Sequence, residues 1–289
     1  MNRTFLAAAV VLLGAWGAYT QTPRPPRPAN IQNIRENLYL VTGEGGNVAA
    51  YVTSEGVVLV DDMFERNADD ILGVVRSVTD KPVRYVLNTH QHSDHAGGNA
   101  RIPPVVEIIA HQNARANMAA LKQPGLPRVT FSQETAVFLG GKEVLAAYYG
   151  RGHTGGDAVV YFPDLKVIHT GDLFLSGPVI PRRQGGANIY IDYAQGGSAV
   201  EWTDALGRIL TLDFDTVIPG HGPLASRADV VTFRADFAAM RGRVADLLRQ
   251  GKSKGDVSRM LIDDYGWPAG GLAIQQVDAL IAEIRGLAR

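Results

Sequence analysis

Three histidines and an aspartate lie within six consecutive residues of this chain. The segment reads His90-Gln91-His92-Ser93-Asp94-His95. Imidazole nitrogens and carboxylate oxygens are ligands that zinc takes in proteins. A single histidine is usually an ordinary core or surface residue, but four such groups so close together favour a metal site over that alternative. The segment therefore predicts metal-dependent chemistry.

Two further histidines and one more aspartate stand in similar settings later in the chain. His153 and His221 are each flanked by glycines, in the stretches GHTGG and PGHGP. Glycine and proline shape such turns rather than fill a core. Asp172 comes shortly after the apolar pair Val167-Ile168. These settings strengthen the prediction of a metal site.

The order HxHxDH, His, Asp, His resembles the ligand pattern of the metallo-β-lactamase superfamily of metallohydrolases, from about Asn37 to Pro223. The resemblance implies an α/β fold, a four-layer αββα sandwich with the metals at one sheet edge. It also implies two Zn²⁺ ions per chain. The first ion would be held by His90, His92 and His153, the second by Asp94, His95 and His221, and Asp172 would bridge them.

The charges of such a site indicate its chemistry. Two Zn²⁺ ions carry four positive charges, and Asp94 and Asp172 cancel only two of them. Zinc lowers the pKa of bound water to about 7, so a hydroxide bridging the metals would attack a carbonyl or phosphoryl group. Asp94 would orient that hydroxide as the catalytic residue, besides binding metal. The sequence therefore predicts a dinuclear zinc hydrolase with a small-molecule substrate.

The bridging residue bears on the substrate class. The best-known secreted metallo-β-lactamases carry a cysteine where this chain has Asp172, whereas glyoxalase II-like members carry an aspartate. Those lactamases also place a substrate-binding lysine soon afterwards, but here the nearest cations are Arg182 and Arg183. We expect a small ester, lactone, thioester or amide as the substrate, with hydrolysis of β-lactams as the first alternative.

Two functions of other classes stay open at this point. An iron-dependent persulfide dioxygenase of the same fold needs only a His-His-Asp triad, and the intact Asp94, His95 and His221 argue against it. A non-catalytic zinc-binding protein has no need of Asp94. Metal content separates the dioxygenase from the dinuclear hydrolase, and lack of turnover in the metal-loaded protein would identify the non-catalytic case.

Short apolar runs bounded by turn residues predict the strands that position these side chains. The runs are Leu38–Val41, Val48–Val52, Val57–Val60, Val83–Leu87, Val105–Ala110, Ala136–Leu139, Val144–Tyr149, Ala158–Phe162, Val167–His169 and Thr216–Ile218. Helical spacing predicts three helices between them. They are Ala68–Val78 with Asn67 as its cap, His111–Leu121 and Val200–Leu210.

Three other polar residues lie near predicted strand ends. Asp61 ends the third strand, where it would either hydrogen-bond the metal loop or only form the turn. His111 belongs to no ligand motif, and we predict that it starts a helix. His169 precedes Asp172 closely and would line the pocket or orient a ligand. We predict none of the three to bind metal.

Residues 227–289 show a different pattern. Apolar side chains recur at helical spacing from Val230 to Leu247 and again from Ile274 to Ile284, which predicts extra C-terminal helices packed on the same domain. A homodimer interface through these helices, or a lid over the pocket, is the alternative.

Composition agrees with one large α/β domain. The chain has 289 residues, of which 46% are hydrophobic, and its formal net charge is -1. Nucleic-acid surfaces carry a clear basic excess, so we expect no nucleic-acid partner. We assign residues 31–226 to the catalytic domain.

The first thirty residues predict export. Arg3 supplies a positive charge, an apolar run from Phe5 to Leu13 follows, and small residues come next, so residues 1–20 read as a secretory signal peptide. Residues 21–30 form a proline-rich linker. We expect a periplasmic or secreted protein with no stable membrane insertion after processing. An uncleaved N-terminal anchor is the alternative.

Overall fold

Two β-sheets lie face to face, with helices on the outer side of each. The structure is a computed structural model that describes residues 28–177, 179, 189–267 and 272–286. The predicted signal peptide, most of the proline-rich linker, and Arg182 and Arg183 lie outside the described residues.

The first sheet has seven strands in chain order. They are β1 (Asn30–Arg35), β2 (Leu38–Thr42), β3 (Val48–Val52), β4 (Val57–Val60), β5 (Val83–Asn88), β6 (Glu107–His111) and β7 (Val129–Phe131). Strands β1 to β4 are antiparallel neighbours, and β4 to β7 run parallel. Parallel neighbours need crossover connections, which contain α1 (Ala68–Arg76), α2 (Ser93–Ala96) and α3 (Gln112–Ala120). Strands β4, β5 and β6 consequently end at the same edge.

The second sheet has six strands. They are β8 (Glu134–Leu139), β9 (Lys142–Tyr148), β10 (Ala158–Phe162), β11 (Val167–His169), β12 (Thr216–Ile218) and β13 (Ala225–Ser226). Strands β8 to β11 are antiparallel neighbours. Strands β11 and β12 are parallel and are connected through α4 (Ala199–Ile209). Strands β11 and β12 therefore end at one edge, and β10 begins there.

Side chains alternate along the strands between two apolar layers. In β3, Ala49 and Tyr51 face the second sheet, whereas Val48 and Ala50 belong to the cluster beneath α1. Tyr51 meets Phe162 of β10 edge to face, with ring centroids 5.4 Å apart. This layering confirms the αββα sandwich that the resemblance implies.

Three more helices follow the sandwich, α5 (Arg227–Arg249), α6 (Lys254–Tyr265) and α7 (Leu272–Ile284). Their apolar faces share one buried cluster with α4 and the outer face of the second sheet. Trp202 of α4 packs against Phe237 of α5, with ring centroids 5.0 Å apart. The side chain of Ile274 lies outside the described residues. The extra helices thus extend the core of the second sheet.

Three observed strands are absent from the sequence prediction, and all three lie at sheet edges. Strands β1, β7 and β13 are partly exposed, so they lack the continuous apolar run of a central strand. The prediction for β6 begins too early, because Val105 is 79% exposed and precedes the strand.

The predicted cap of the first helix is wrong in detail. Asn67 directly precedes α1 but has helical backbone angles, and its side chain makes no capping hydrogen bond. Side-chain capping normally requires an extended residue at that position.

No helix in the described part of the chain is long and apolar enough to cross a membrane.

We expect the substitution Phe237→Ala to lower the free energy of unfolding by about 3–5 kcal/mol, because it removes a fully buried ring from the shared helical core. Urea denaturation followed by circular dichroism measures the change. Val231→Ala on the same helix is the control, since Val231 is 50% exposed and should change stability by less than about 0.5 kcal/mol. Equal effects of the two substitutions would contradict this packing.

Candidate metal centre

The loops at one edge of the sandwich carry all seven predicted ligands. Four of them follow β5, and the others precede β10, follow β11 or follow β12; in chain order they are His90, His92, Asp94, His95, His153, Asp172 and His221. Strands β11 and β12 are parallel neighbours and end together, and across the sheets the backbone N–H of Ala158, at the start of β10, donates to the carbonyl oxygen of Thr89 after β5 at 2.7 Å. The fold therefore brings together residues from four separate loops.

Three ring nitrogens converge on one point between the loops. His92 Nδ1 lies 3.2 Å from His90 Nε2 and 2.8 Å from His153 Nε2. Ligand nitrogens around a tetrahedral zinc ion are about 3.3 Å apart, given metal–nitrogen bonds of about 2.0–2.1 Å. The spacing of this group is close to what a tetrahedral metal requires.

A second group forms beside the first. His95 Nε2 lies 3.2 Å from His221 Nε2. The carboxylate oxygen Oδ2 of Asp94 lies 3.2 Å from His221 Nε2 and 3.8 Å from His95 Nε2. His95 is fully buried, whereas the side chain of His221 is 41% exposed. The second group thus faces solvent through His221.

Asp172 lies between the two groups. Its Oδ1 is 3.1 Å from His95 Nε2, and its Oδ2 is 3.5 Å from His153 Nε2. Oδ1 is buried and accepts no hydrogen bond. Each carboxylate oxygen therefore faces a different group, as a bridging ligand requires.

Hydrogen bonds on the far side of the first group determine which nitrogen each ring presents. His90 Nδ1 lies 3.1 Å from Thr89 Oγ1, whose hydroxyl donates to Asp61. His92 Nε2 donates to Asp192 Oδ2 at 2.9 Å. Burial opposes ionisation of Asp192, but the bond from His92 holds the pKa of that carboxyl below its usual value. The inward nitrogens of both rings are therefore left without protons.

The two remaining buried rings are also held by hydrogen bonds on their outer nitrogens. His153 Nδ1 donates to the carbonyl oxygen of Tyr190 at 2.7 Å. His95 Nδ1 donates to Asp61 Oδ2 at 2.8 Å. Such partners on the outer nitrogen are a regular feature of metal-binding histidines, because they fix the tautomer and the ring orientation.

The donor chemistry of the cluster fits a divalent cation. A ring nitrogen without a proton offers only a lone pair, so His90, His92 and His153 present lone pairs to one another. Burial, together with the nearby His95 ring, holds the pKa of His90 well below its usual value. Burial likewise lowers the pKa of His153 to about 4. Both rings are neutral at neutral pH, which is the form that binds metal.

Two glycines allow the backbone to approach the cluster. A Cβ atom on Gly46, in the turn between β2 and β3, would lie 2.1 Å from His95 Cε1. A Cβ atom on Gly220 would lie 1.9 Å from Asp172 Oδ1. Any larger residue at either position would displace the neighbouring side chain.

The three other polar residues have clear positions. Asp61 accepts hydrogen bonds from the Thr89 backbone and from His95, so its predicted contact with the metal loop is confirmed. His111 stacks on Tyr148 with ring centroids 4.1 Å apart and accepts from the Asn113 backbone at the start of α3. As predicted, it begins a helix.

His169 does not line the pocket. It is fully buried, its Nδ1 accepts from the backbone of Gly171, and its Nε2 donates to the carbonyl oxygen of Asn47. The first of these bonds fixes the turn that carries Asp172, so only an indirect orienting contact is present.

Sequence reasoning missed Asp192 and Thr89. Asp192 lies outside every ligand motif, and nothing in its spacing marks it. Thr89 directly precedes His90, and a hydroxyl beside a metal-binding histidine is the only signal that could have indicated it.

A cleft of about 620 Å³ opens beside the second group. One wall is the turn from Gly43 to Asn47, and the other runs from His221 to Leu224. On the opposite side of the cluster, the Tyr190 ring lies 6.0 Å from His92 and 5.8 Å from His153, measured between centroids. A small molecule has room to reach the cluster from the side of His221.

A family profile described as "Metallo-beta-lactamase superfamily" matches residues 41–221, a span that includes all seven clustered side chains. The chain belongs to the metallo-beta-lactamase superfamily.

Curated relatives of this superfamily member differ in their described activities. This chain is 31% identical over 227 residues to the 2,4-dinitroanisole O-demethylase subunit alpha of Nocardioides sp. (strain JS1661). The match spans 75% of this chain but only 65% of that protein. The chain is 27% identical to the metallo-beta-lactamase type 2 of Elizabethkingia meningoseptica, over 59% of this chain and 72% of that protein.

Among solved structures, the metallo-beta-lactamase from Pontibacter korlensis matches with a TM-score of 0.63 at 22% identity. The match covers 73% of this chain and 99% of that one. This likeness concerns the fold.

We expect His153→Ala to lose at least one bound metal per chain, since His153 Nε2 lies 2.8 Å from His92 Nδ1 within the first group. Zinc content after dialysis, measured by atomic absorption, tests this. His111→Ala is the matched control and should keep its metal, because His111 packs against Tyr148 instead. Metal loss from the His111 variant would show that the site is misassigned.

Metal binding should release a proton from His95. Burial opposes protonation of this ring, but the carboxylates of Asp172 and Asp61 raise its pKa well above the usual value. The metal-free protein therefore holds a proton there at neutral pH, and affinity should fall as the pH is lowered. Calorimetric titration with zinc in buffers of different ionisation enthalpy measures the release. Heats that do not depend on the buffer would contradict it.

Proposed function

We propose that this chain is a zinc-dependent hydrolase with two Zn²⁺ ions. His90, His92 and His153 would hold the first ion, Asp94, His95 and His221 the second, and Asp172 would contact both. The observation that carries the proposal is the convergence of the inner ring nitrogens of the first group on one point, with the second group beside it and Asp172 between the two groups. A cation between the lone pairs of His90, His92 and His153 would relieve their repulsion.

When bound, zinc supplies Lewis acidity, which lowers the pKa of water towards neutrality and polarises a carbonyl group. The chain's own residues provide the rest. Burial opposes ionisation of Asp94, but His221 and His95 hold its pKa below the usual value. The side chain of Asp94 is 29% exposed and lies 3.2 Å from His221, which lines the cleft, so its carboxylate can accept a hydrogen bond from the attacking water and orient it.

We propose a small ester, lactone, thioester or amide as the substrate. None of the described residues that line the cleft beside His221 is a lysine or arginine. A β-lactam carries a carboxylate that needs such a cation, so the described cleft favours a substrate without a charged anchor.

An activated aryl ether or aryl ester is a second candidate. It is favoured by the 31% identity to a protein described as a 2,4-dinitroanisole O-demethylase subunit. The half-buried Tyr190 ring beside His92 and His153 would form an aromatic wall for such a substrate. Release of methanol from dinitroanisole, compared with turnover of lactones, thioesters and β-lactams by the same zinc-loaded preparation, distinguishes the candidates.

Metal analysis separates the hydrolase from its rivals. About two zinc ions per chain are expected of the dinuclear hydrolase, whereas one iron ion would favour a persulfide dioxygenase. Full zinc loading without turnover of any substrate in the panel would favour a non-catalytic zinc-binding protein.

We expect Asp94→Ala to lower kcat by at least about 100-fold, because the variant cannot orient the attacking water. The folded state should persist, since the Asp94 side chain is partly exposed. Asp69→Ala is the control: this carboxylate is 79% exposed and pairs with Arg101 at the surface, so activity should not change. Wild-type turnover by the Asp94 variant would refute the orienting role.

A further inference from the structure

The segment from Ile189 to Ser198 is bonded to two of the proposed ligands of the first zinc ion. Asp192 accepts from His92 Nε2 at 2.9 Å, and the carbonyl oxygen of Tyr190 accepts from His153 Nδ1 at 2.7 Å. The backbone N–H of Asp192 donates to the carbonyl oxygen of His153 at 2.8 Å. The placement of this segment therefore determines the placement of both rings.

A carboxylate of the C-terminal helices accepts hydrogen bonds from the same segment and from the residue that follows it. Glu283, near the end of α7, accepts from the Tyr193 hydroxyl at 3.0 Å, from the Ser198 hydroxyl, and from the backbone N–H of Ala199 at 3.0 Å. Burial, and next the charge of Glu283, raise the pKa of Tyr193, so the phenol keeps its proton and remains a donor.

These three donors lie on both sides of a tight turn. The backbone N–H of Gly197 donates to the carbonyl oxygen of Asp192 at 2.7 Å, and the N–H of Ser198 donates to the carbonyl oxygen of Gly152 at 2.9 Å. Asp192 thus directly precedes Tyr193 and is hydrogen-bonded to Gly197, the neighbour of Ser198, so its backbone adjoins both residues whose hydroxyls donate to Glu283. The carboxylate of Glu283 also lies at the N-terminus of α4, where the helix dipole favours a negative charge.

We propose that Glu283 is a positioning residue for the metal centre, which acts through Tyr193, Ser198 and Asp192 to fix the orientation of His92. The C-terminal helices are then part of the metal site's support and not only a cover for the second sheet. The proposal rests on the zinc centre put forward under Proposed function.

Loss of the Glu283 carboxylate should lower the affinity for metal more than it lowers the stability of the fold. In Glu283→Gln one of the two carboxylate oxygens that accept from these three donors is replaced by an amide N–H₂, which cannot accept. At least one of the present hydrogen bonds is therefore lost, while the side-chain shape is kept. Partners beyond the ligands typically contribute 10- to 100-fold to metal affinity. Because Glu283 acts through Asp192, we expect the lower end, about a tenfold loss.

The matched control is Asp278→Asn. Asp278 lies on the same helix and pairs with Lys254 at 2.6 Å, at the surface, so the variant removes the same charge without touching the segment. Zinc affinity is measured by competition with a chromogenic chelator. The absorption spectrum of the cobalt-substituted protein reports ligand geometry independently of any turnover.

A double-mutant cycle tests whether Glu283 acts through Asp192. Asp192→Asn should also weaken zinc binding, and adding Glu283→Gln to that variant should weaken it little further. The reason is that substitutions at residues connected by one series of contacts do not have additive effects. A cobalt spectrum altered in Glu283→Gln and unchanged in Asp278→Asn would support the proposal. Wild-type affinity and spectrum in Glu283→Gln, fully additive losses, or equal losses in both helix variants would overturn it.

Tyr193→Phe covers the case in which Glu283→Gln does not fold. It removes one of the three donors and should weaken zinc binding several-fold; unchanged affinity would overturn the proposal. A wild-type chain that binds no zinc would refute the proposed function as well. Normal zinc binding by both the wild type and the Glu283 variant would refute only the positioning role.

Discussion

The rest of this structure depends on one constraint: the unprotonated nitrogens of His90, His92 and His153 are held against one another beside the buried carboxylate of Asp172. His92 Nδ1 lies 2.8 Å from His153 Nε2 and 3.2 Å from His90 Nε2, and the buried carboxylate of Asp172 lies beside this group. Lone pairs so close together repel. The surrounding fold must therefore hold each ring by its outer nitrogen, so that the inner nitrogen remains available for a cation.

That support comes from several layers of the fold. Asp61, at the end of β4, receives bonds from Thr89 and His95 because β4 and β5 are parallel neighbours and end together. Asp192 performs the same task for His92 from a segment beyond the second sheet. Gly46 and Gly220 permit backbone to lie against His95 and Asp172.

The two ligand groups differ in their exposure, so one side of the site is open to solvent and the other is covered by protein. Three rings of the first group are backed by bonded partners, whereas His221 faces the cleft with 41% of its side chain exposed. The side of His221 and Asp94 is therefore the one that a small molecule can reach. On the far side lies the segment that α7 contacts through Glu283, so hydrogen bonds run from the C-terminal helices to the rings of the first group.

The sequence by itself determined the sandwich class, the central strands and the seven clustered side chains, because metal ligands need specific residue types and buried strands need continuous apolar runs. It did not reveal the edge strands β1, β7 and β13, which are too exposed to carry that pattern. Nor did it reveal Asp192 or Glu283. Their roles arise from contacts between residues far apart in the chain, such as His92 with Asp192 and Tyr193 with Glu283, and such contacts leave no spacing rule in the sequence. Only the tertiary structure brings these carboxylates to the rings and turns that they hold.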